Sequence, residues 1–162
     1  MKFVSTIWAM ALMLAAAAAP ASATTFSPAP GTFLFQGTVL VAKGSPTFYC
    51  TLKLTISVTS STTAVVTPAL AAPSSVFCPT FIFSGTPYPF NYVSGGIEIP
   101  GVVMSTAFGT GCSGRLVGGW DIGSPASITF NATLPGSGSS DTCKIVGRVY
   151  QVAGSPLSIT NP

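Results

Sequence analysis

The sequence predicts an all-β protein: a single antiparallel β-sandwich or barrel-like domain of about eight to nine short strands, stabilised by disulfides. Three observations carry this prediction. Apolar and polar residues alternate over residues 48–58, and turn signals rich in glycine, proline and serine recur about every ten residues. Four cysteines stand in a chain of 162 residues that has no histidine.

Residues 48–58 give the clearest strand. Their even positions are Phe, Cys, Leu, Leu, Ile and Val, whereas their odd positions are Tyr, Thr, Lys, Thr and Ser. Such alternation is typical of a strand with one face in a core and the other in water. Cys50 falls on the apolar face, so we expect a structural half-cystine rather than an exposed reactive thiol.

Shorter apolar or alternating runs predict the remaining strands. Pro68 and Pro73 bracket residues 69–72 too closely for a helix, and Pro68 is expected to end the strand before it. Trp120 and Ile122 are expected on an inward face. The order of the strands in the sheet is left open. The predicted strands are 32–41, 64–67, 80–83, 97–107, 112–122, 128–134 and 143–152.

Residues 1–23 have the features of a secretory signal peptide: Lys2, an apolar run and an Ala-x-Ala exit. A membrane anchor is the alternative, but the run is short and Pro20 ends it. No later segment is long and apolar enough to span a bilayer. We therefore predict that residues 24–162 form a single β-rich domain of a secreted bacterial protein, extracellular or else periplasmic or cell-surface associated.

Charged residues are scarce. The chain has six Lys or Arg and three Asp or Glu, far below the roughly one quarter of residues usual for soluble domains. There is no basic cluster, so nucleic acid is not expected as a partner. A surface with so little charge favours association with itself or with apolar material.

The four cysteines, Cys50, Cys78, Cys112 and Cys143, predict a disulfide framework in an exported chain. Of the three possible connectivities, the spacing favours Cys50–Cys78 with Cys112–Cys143. A zinc site is the alternative, but the chain has neither a Cys-x-x-Cys pair nor a histidine, so no metal is expected. Both Cys78 and Cys143 are preceded by a nearby Ser-Ser pair, which marks either pseudo-twofold halves or a chance likeness.

No constellation for catalysis is recognisable, and neither a catalytic residue nor a cofactor is assigned. The lack of histidine removes the Ser–His–Asp and Cys–His arrangements. Glu98, Asp121 and Asp141 are isolated in sequence, and a glycosidase would need folding to bring two of them together. We expect that the chain is not an enzyme.

Tyr88, Phe90 and Tyr92 are the candidate residues for contact with apolar material. Alternate residues of an extended segment share a face, so the three rings are expected to line up. The alternative is that they pack on the domain's own edge. Pro87 and Pro89 exclude a central strand, so this segment is predicted to be an edge or a loop.

The layout of the motifs resembles that of a known family. Pro-Gly-Thr-Phe at residues 30–33 precedes the cysteine-led strand, and Cys-Ser-Gly-Arg-Leu-Val-Gly-Gly-Trp at 112–120 precedes Cys-Lys-Ile-Val-Gly at 143–147. This layout resembles the small secreted bacterial activators of alkane oxidation, the PraA/PraB type. The resemblance implies an extracellular accessory protein that helps cells grow on long-chain alkanes, by dispersing or contacting the oil phase. It implies no catalysis and supplies no binding residues.

The sequence therefore predicts a secreted non-catalytic accessory protein that acts at apolar surfaces and aids hydrocarbon assimilation. Its expected partners are long-chain alkanes or the cell surface, with self-association as a further possibility. The alternative function is a structural subunit of an extracellular fibre, surface layer or biofilm matrix, since low charge and open strand edges suit assembly.

Overall fold

The alternation in the sequence becomes twelve β-strands in the computed structural model, which describes residues 24–45, 47–71, 76–93, 95–138 and 141–161. Those ranges hold no α-helix, and the all-β prediction is confirmed. The predicted signal peptide, residues 1–23, lies outside the described residues. The strands are β1 (Thr25–Ser27), β2 (Gly31–Lys43), β3 (Thr47–Ser60), β4 (Thr63–Ala71), β5 (Ile82–Ser84), β6 (Tyr88–Pro89), β7 (Asn91–Val93), β8 (Gly96–Ser105), β9 (Cys112–Asp121), β10 (Ser127–Leu134), β11 (Cys143–Ala153) and β12 (Ser158–Thr160).

Ten of the strands form one antiparallel sheet in the order β5-β8-β9-β10-β11-β2-β3-β4-β6, with β7 also paired to β8. Two meanders, β2 to β4 and β8 to β11, make up most of this sheet. They join where β11 pairs with β2, which places Ile145 opposite Val41. The sheet curls around one hydrophobic core, so the barrel-like form of the prediction is the one observed.

Inward-facing side chains fill the curled sheet. In β3 the predicted alternation holds, because Cys50, Leu52, Leu54 and Ile56 are all fully buried. Burying an aliphatic or aromatic side chain of this kind stabilises a fold by about 1.5–3 kcal/mol relative to leaving it exposed. The largest fully buried rings are those of Phe33, Phe35, Phe81, Phe90 and Phe130.

The long strands terminate at two opposite ends of the curled sheet. Both disulfides lie at one of them, here called the disulfide end, and the favoured pairing of Cys50 with Cys78 and of Cys112 with Cys143 is confirmed. The β1–β12 ribbon covers the other end, here called the ribbon end. Three buried apolar side chains of the terminal segments close that end: Phe26, Leu157 and Ile159.

Residues 82–93, here called the seam, lie between β4 and β8 and run antiparallel to both. Within the seam, β5 and β7 pair with β8, whereas β6 pairs with β4. Pro87 and Pro89 break the segment into these short pieces, because a proline cannot donate to a ladder. The predicted edge or loop is therefore a broken strand that bridges the two outer meander strands.

The structure corrects two of the predicted strands. β4 does not end before Pro68 but continues to Ala71. The backbone N–H of Phe90 donates to the carbonyl of Ala64 at 3.0 Å, so by alternation Pro68 also turns its backbone toward the seam and not toward β3. Ile122 was expected inside, but it lies past the end of β9 and is 67% exposed.

Candidate functional site

Four phenylalanine rings meet at the disulfide end, and we call this cluster the aromatic mouth. They are Phe48, Phe77, Phe81 and Phe108. The ring of Phe48 lies 5.2 Å from that of Phe77 and 5.3 Å from that of Phe108, with the second pair stacked at 21°. Phe77 and Phe108 also contact each other edge-on at 5.5 Å. Aromatic pairs of this kind are worth about 0.5–1.5 kcal/mol beyond the area that they bury.

Three separate parts of the chain bring these rings together. Phe48 begins β3 with the same parity as Cys50, so its ring points inward at the disulfide end. The Cys50–Cys78 disulfide then fixes the short 3₁₀ turn Cys78–Thr80, which Phe77 and Phe81 flank. Phe108 comes from the loop between β8 and β9, where its N–H donates to Oγ1 of Thr106 at 2.9 Å.

The aromatic mouth is half in the core and half in water. Phe81 is buried at 2% exposure, whereas Phe77 is 45% exposed and Phe108 is 36% exposed. Val76, next to Phe77, is 82% exposed. Adjoining exposed apolar side chains on a folded protein mark a surface that contacts another molecule or an apolar phase.

The part of the chain that carries Phe77, Phe81 and Phe108 is almost free of charge. Between Leu54 and Gly114 the only charged residue is Glu98, and its Oε2 lies 3.3 Å from Nη1 of Arg115. At the disulfide end, Lys43 Nζ donates to the carbonyl of Asp141 at 3.0 Å. The exposed rings of Phe77 and Phe108 therefore belong to a segment whose one charged side chain is paired. Contact of these rings with an apolar phase would not require an unpaired charge of that segment to be desolvated.

The rings singled out in the sequence lie elsewhere. Tyr88 and Phe90 do share a face, but that face is the core, where they are 4% and 1% exposed. Phe90 packs 6.1 Å from Phe26, and Tyr92 is half-buried against the same core. Tyr88 and Phe90 are thus interior residues of the seam, and the exposed phenylalanine rings of the aromatic mouth are those of Phe77 and Phe108.

Sequence reasoning missed Phe77 and Phe108 because neither belongs to an alternating run. Phe77 stands directly before Cys78, and Phe108 stands in a loop beside Gly109, whose φ of +110° favours glycine. The signal that could have pointed to both is a large aromatic residue in a turn segment, outside any periodic strand. The Cys50–Cys78 disulfide ties the turn of Phe77 to β3, where both Phe77 and Phe108 pack on Phe48.

Other site types find no support in the described part of the chain. No group of three or more histidine, cysteine, aspartate or glutamate side chains there is placed to hold a metal ion. Within the same residues, no helix has the length and apolar character needed to cross a membrane.

Comparison with known proteins identifies the family. The family model described as alkane oxidation protein activator PraA/PraB-like matches residues 1–159. The chain belongs to the PraA/PraB-like family. The resemblance read from the cysteine and glycine motifs is thereby confirmed. No curated protein and no solved structure matches the chain.

The motifs of this PraA/PraB-like chain have structural roles. In β9, a Cβ on Gly118 would lie 2.9 Å from Cγ2 of Ile128 and 3.1 Å from Cδ1 of Phe130, so only glycine leaves room for those core side chains. In the same strand, the ring of Trp120 packs 5.8 Å from that of Phe35. Gly118 and Trp120 of the run at 112–120 therefore shape the core of this family member.

Proposed function

We propose that the chain is a secreted, non-catalytic accessory protein that contacts apolar material through the aromatic mouth and so aids hydrocarbon assimilation. The observation that carries the proposal is the exposure of Phe77 and Phe108 on a disulfide-anchored frame, in a part of the chain whose single charged residue is Glu98. The family description, which names activators of alkane oxidation, supports an apolar partner of the alkane type.

The frame makes the exposed rings effective as contacts. Phe77 and Phe108 already pack against Phe48, so little side-chain freedom is lost when they meet an apolar phase. A phenylalanine buried from full exposure gains about 1.5–3 kcal/mol, and a ring already half-buried gains roughly half of that. Two such rings per molecule support weak and reversible adsorption. The total amount of adsorbed protein is substantial when many molecules cover a droplet.

The placement of the three carboxylates supports a non-catalytic role. Glu98 lies opposite Val117, and Asp121 follows four residues further along β9, a separation of about 13 Å at strand spacing. Asp141 lies at the disulfide end, next to Cys143, whereas Asp121 ends β9 at the ribbon end. A glycosidase pair needs carboxyl groups about 5–10 Å apart.

Export is supported by the cysteine chemistry. Both disulfides are formed, and disulfides persist in oxidising compartments outside the cytoplasm. The sequence features of residues 1–23 point in the same direction.

Adsorption to hexadecane droplets tests this proposal. The secreted protein and a Phe77→Ser/Phe108→Ser double variant are each mixed with droplets, and the protein left in the water phase is measured. The double variant should adsorb several-fold less, because both exposed rings are lost. Tyr150→Ser is the matched control, since Tyr150 is 44% exposed but lies on the outer face of β11.

Two results would contradict the proposal. One is wild-type protein that stays in the water phase. The other is a double variant that adsorbs as well as the Tyr150→Ser control. Filaments in electron micrographs of the culture supernatant would favour the alternative, a subunit of an extracellular fibre or matrix.

A further inference from the structure

The curled sheet has a gap in its seam at the disulfide end. On the seam side of β4, β6 pairs with Val65 and Val66 only, while β5 pairs with β8. Among the described residues no ladder joins β4 to β5, although the two strands face each other across the seam. The gap between them is a cavity of about 270 Å³, which we call the seam slot.

The side chains that line the seam slot are apolar. Its buried floor is formed by Pro68, Leu70 and Phe81, and its rim by Pro79, Ile82 and Phe83. At the rim, Ile82 is 58% exposed, whereas Phe81 at the floor is 2% exposed. No charged or hydrogen-bonding side chain lines the slot, so the only polar groups that an occupant could meet there belong to the backbone.

A peptide strand is a poor occupant of this gap. The backbone groups of β4 that face the seam are those of alternate residues, and Pro68 is one of them. Proline has no N–H, so an added strand would lose a ladder bond in the middle of the slot. The side chains of the slot offer apolar contact only.

The dimensions favour a thin occupant. At about 270 Å³ the slot falls just below the 300–1,000 Å³ of pockets that hold drug-sized ligands. Its floor residue Phe81 also packs 5.9 Å from Phe108 of the aromatic mouth. The slot and the aromatic mouth therefore share Phe81.

We propose that the seam slot takes up one unbranched, uncharged hydrocarbon chain. The inference rests on the proposed function and deepens it, because it assigns capture of a single chain to the slot and adsorption to the exposed rings. The hydrocarbon lies between β4 and β5, in contact with Pro68, Leu70 and Phe81. At the rim it displaces water and contacts Ile82.

Uptake of n-octane from the headspace over a protein solution tests the slot in the absence of any oil phase. Wild-type protein should take up n-octane saturably, one molecule per chain, and should take up the branched isomer isooctane at least several-fold more weakly. Ile82→Lys should weaken n-octane binding about tenfold, the equivalent of losing contact with about two methylene groups. Ala69→Phe, which narrows the slot from the β4 side, should also weaken it.

Ile122→Lys is the matched control, because Ile122 is similarly exposed at 67% but lies at the ribbon end. Equal effects of Ile82→Lys and Ile122→Lys would overturn the proposal, as would equal uptake of n-octane and isooctane. A dimer in solution that Ile82→Lys dissociates would overturn it too, because the occupant would then be a second copy of the chain.

The failures of the two proposals are distinguishable. Droplet adsorption that depends on Phe77 and Phe108, without saturable n-octane uptake, would reject the slot and leave the proposed function standing. Wild-type protein that neither adsorbs to droplets nor takes up n-octane would reject both proposals. Ile82→Lys should leave droplet adsorption within twofold of wild type, since it retains both exposed rings.

Discussion

The hydroxyl of Tyr88 accepts a hydrogen bond from the backbone N–H of Val103 at 3.2 Å. The same hydroxyl lies 3.1 Å from the carbonyl oxygen of Val103 and donates toward the carbonyl of Ser84. Tyr88 belongs to β6, which pairs with β4, whereas Val103 belongs to β8. One side chain therefore ties together the two outer strands of the sheet, where no continuous backbone ladder does so.

Replacing Tyr88 by phenylalanine tests this tie. Tyr88→Phe keeps the buried ring but leaves the N–H of Val103 without its acceptor, which should lower the free energy of unfolding by about 1–3 kcal/mol. Chemical denaturation measures the change. Tyr150→Phe, at an exposed tyrosine, is the control and should change stability by less than about 0.5 kcal/mol. Equal stability of both variants would show that the hydroxyl does not hold the seam.

Removal of either disulfide should lower the free energy of unfolding by a similar amount, but only removal of Cys50–Cys78 should impair droplet adsorption. They close loops of similar length, with sequence separations of 28 and 31, so removing either should cost about 3–4 kcal/mol in the chain-entropy model. Only Cys50–Cys78 anchors Phe77 and Phe81. The Cys50→Ala/Cys78→Ser variant should therefore lose droplet adsorption and become sensitive to limited proteolysis near residues 76–84.

The Cys112→Ala/Cys143→Ser variant is the matched control for that experiment. It should lose comparable stability yet keep droplet adsorption at temperatures well below its unfolding transition. Proteolysis that is no faster near residues 76–84 in the Cys50→Ala/Cys78→Ser variant than in this control would contradict the anchoring role.

Two adjacent glycines of β9 should respond differently to alanine. Gly118→Ala places a Cβ against Ile128, Phe130 and the carbonyl of Thr129, all within 3.1 Å, and should destabilise the protein by about 1–3 kcal/mol. Gly119→Ala meets nothing within 4 Å, so its effect should be small. Thermal unfolding of the pair measures the difference, and equal melting temperatures would refute the packing argument.

The fold was predictable because most long strands carry their own periodicity. In β3 and β10, buried and exposed residues alternate as the sequence indicates. The course of the seam was not predictable, since Pro87 and Pro89 exclude a regular strand but do not say which neighbour each fragment pairs with. The predicted strand at 64–67 is too short for a related reason. The effect of Pro68 depends on which neighbouring strand its missing N–H would face, and the tertiary structure decides that.

The candidate site was less predictable than the fold. Alternation correctly groups Tyr88 and Phe90 on one face, but it cannot decide whether that face is inside or outside. Phe77 and Phe108 are 31 residues apart in sequence and meet through the tertiary fold, where both rings pack on Phe48. Such contacts between turns leave no periodic trace in a single sequence.

The pairing of β11 with β2 has a kinetic consequence. Val41 pairs with Ile145, which follows it by about a hundred residues. Strand β2 therefore has no partner on that side until β11 is available. Contacts this distant in sequence fold slowly, because the loop-closure entropy is lost before the contact forms. A chain that emerges N-terminus first therefore cannot complete its sheet until its last long strand has appeared.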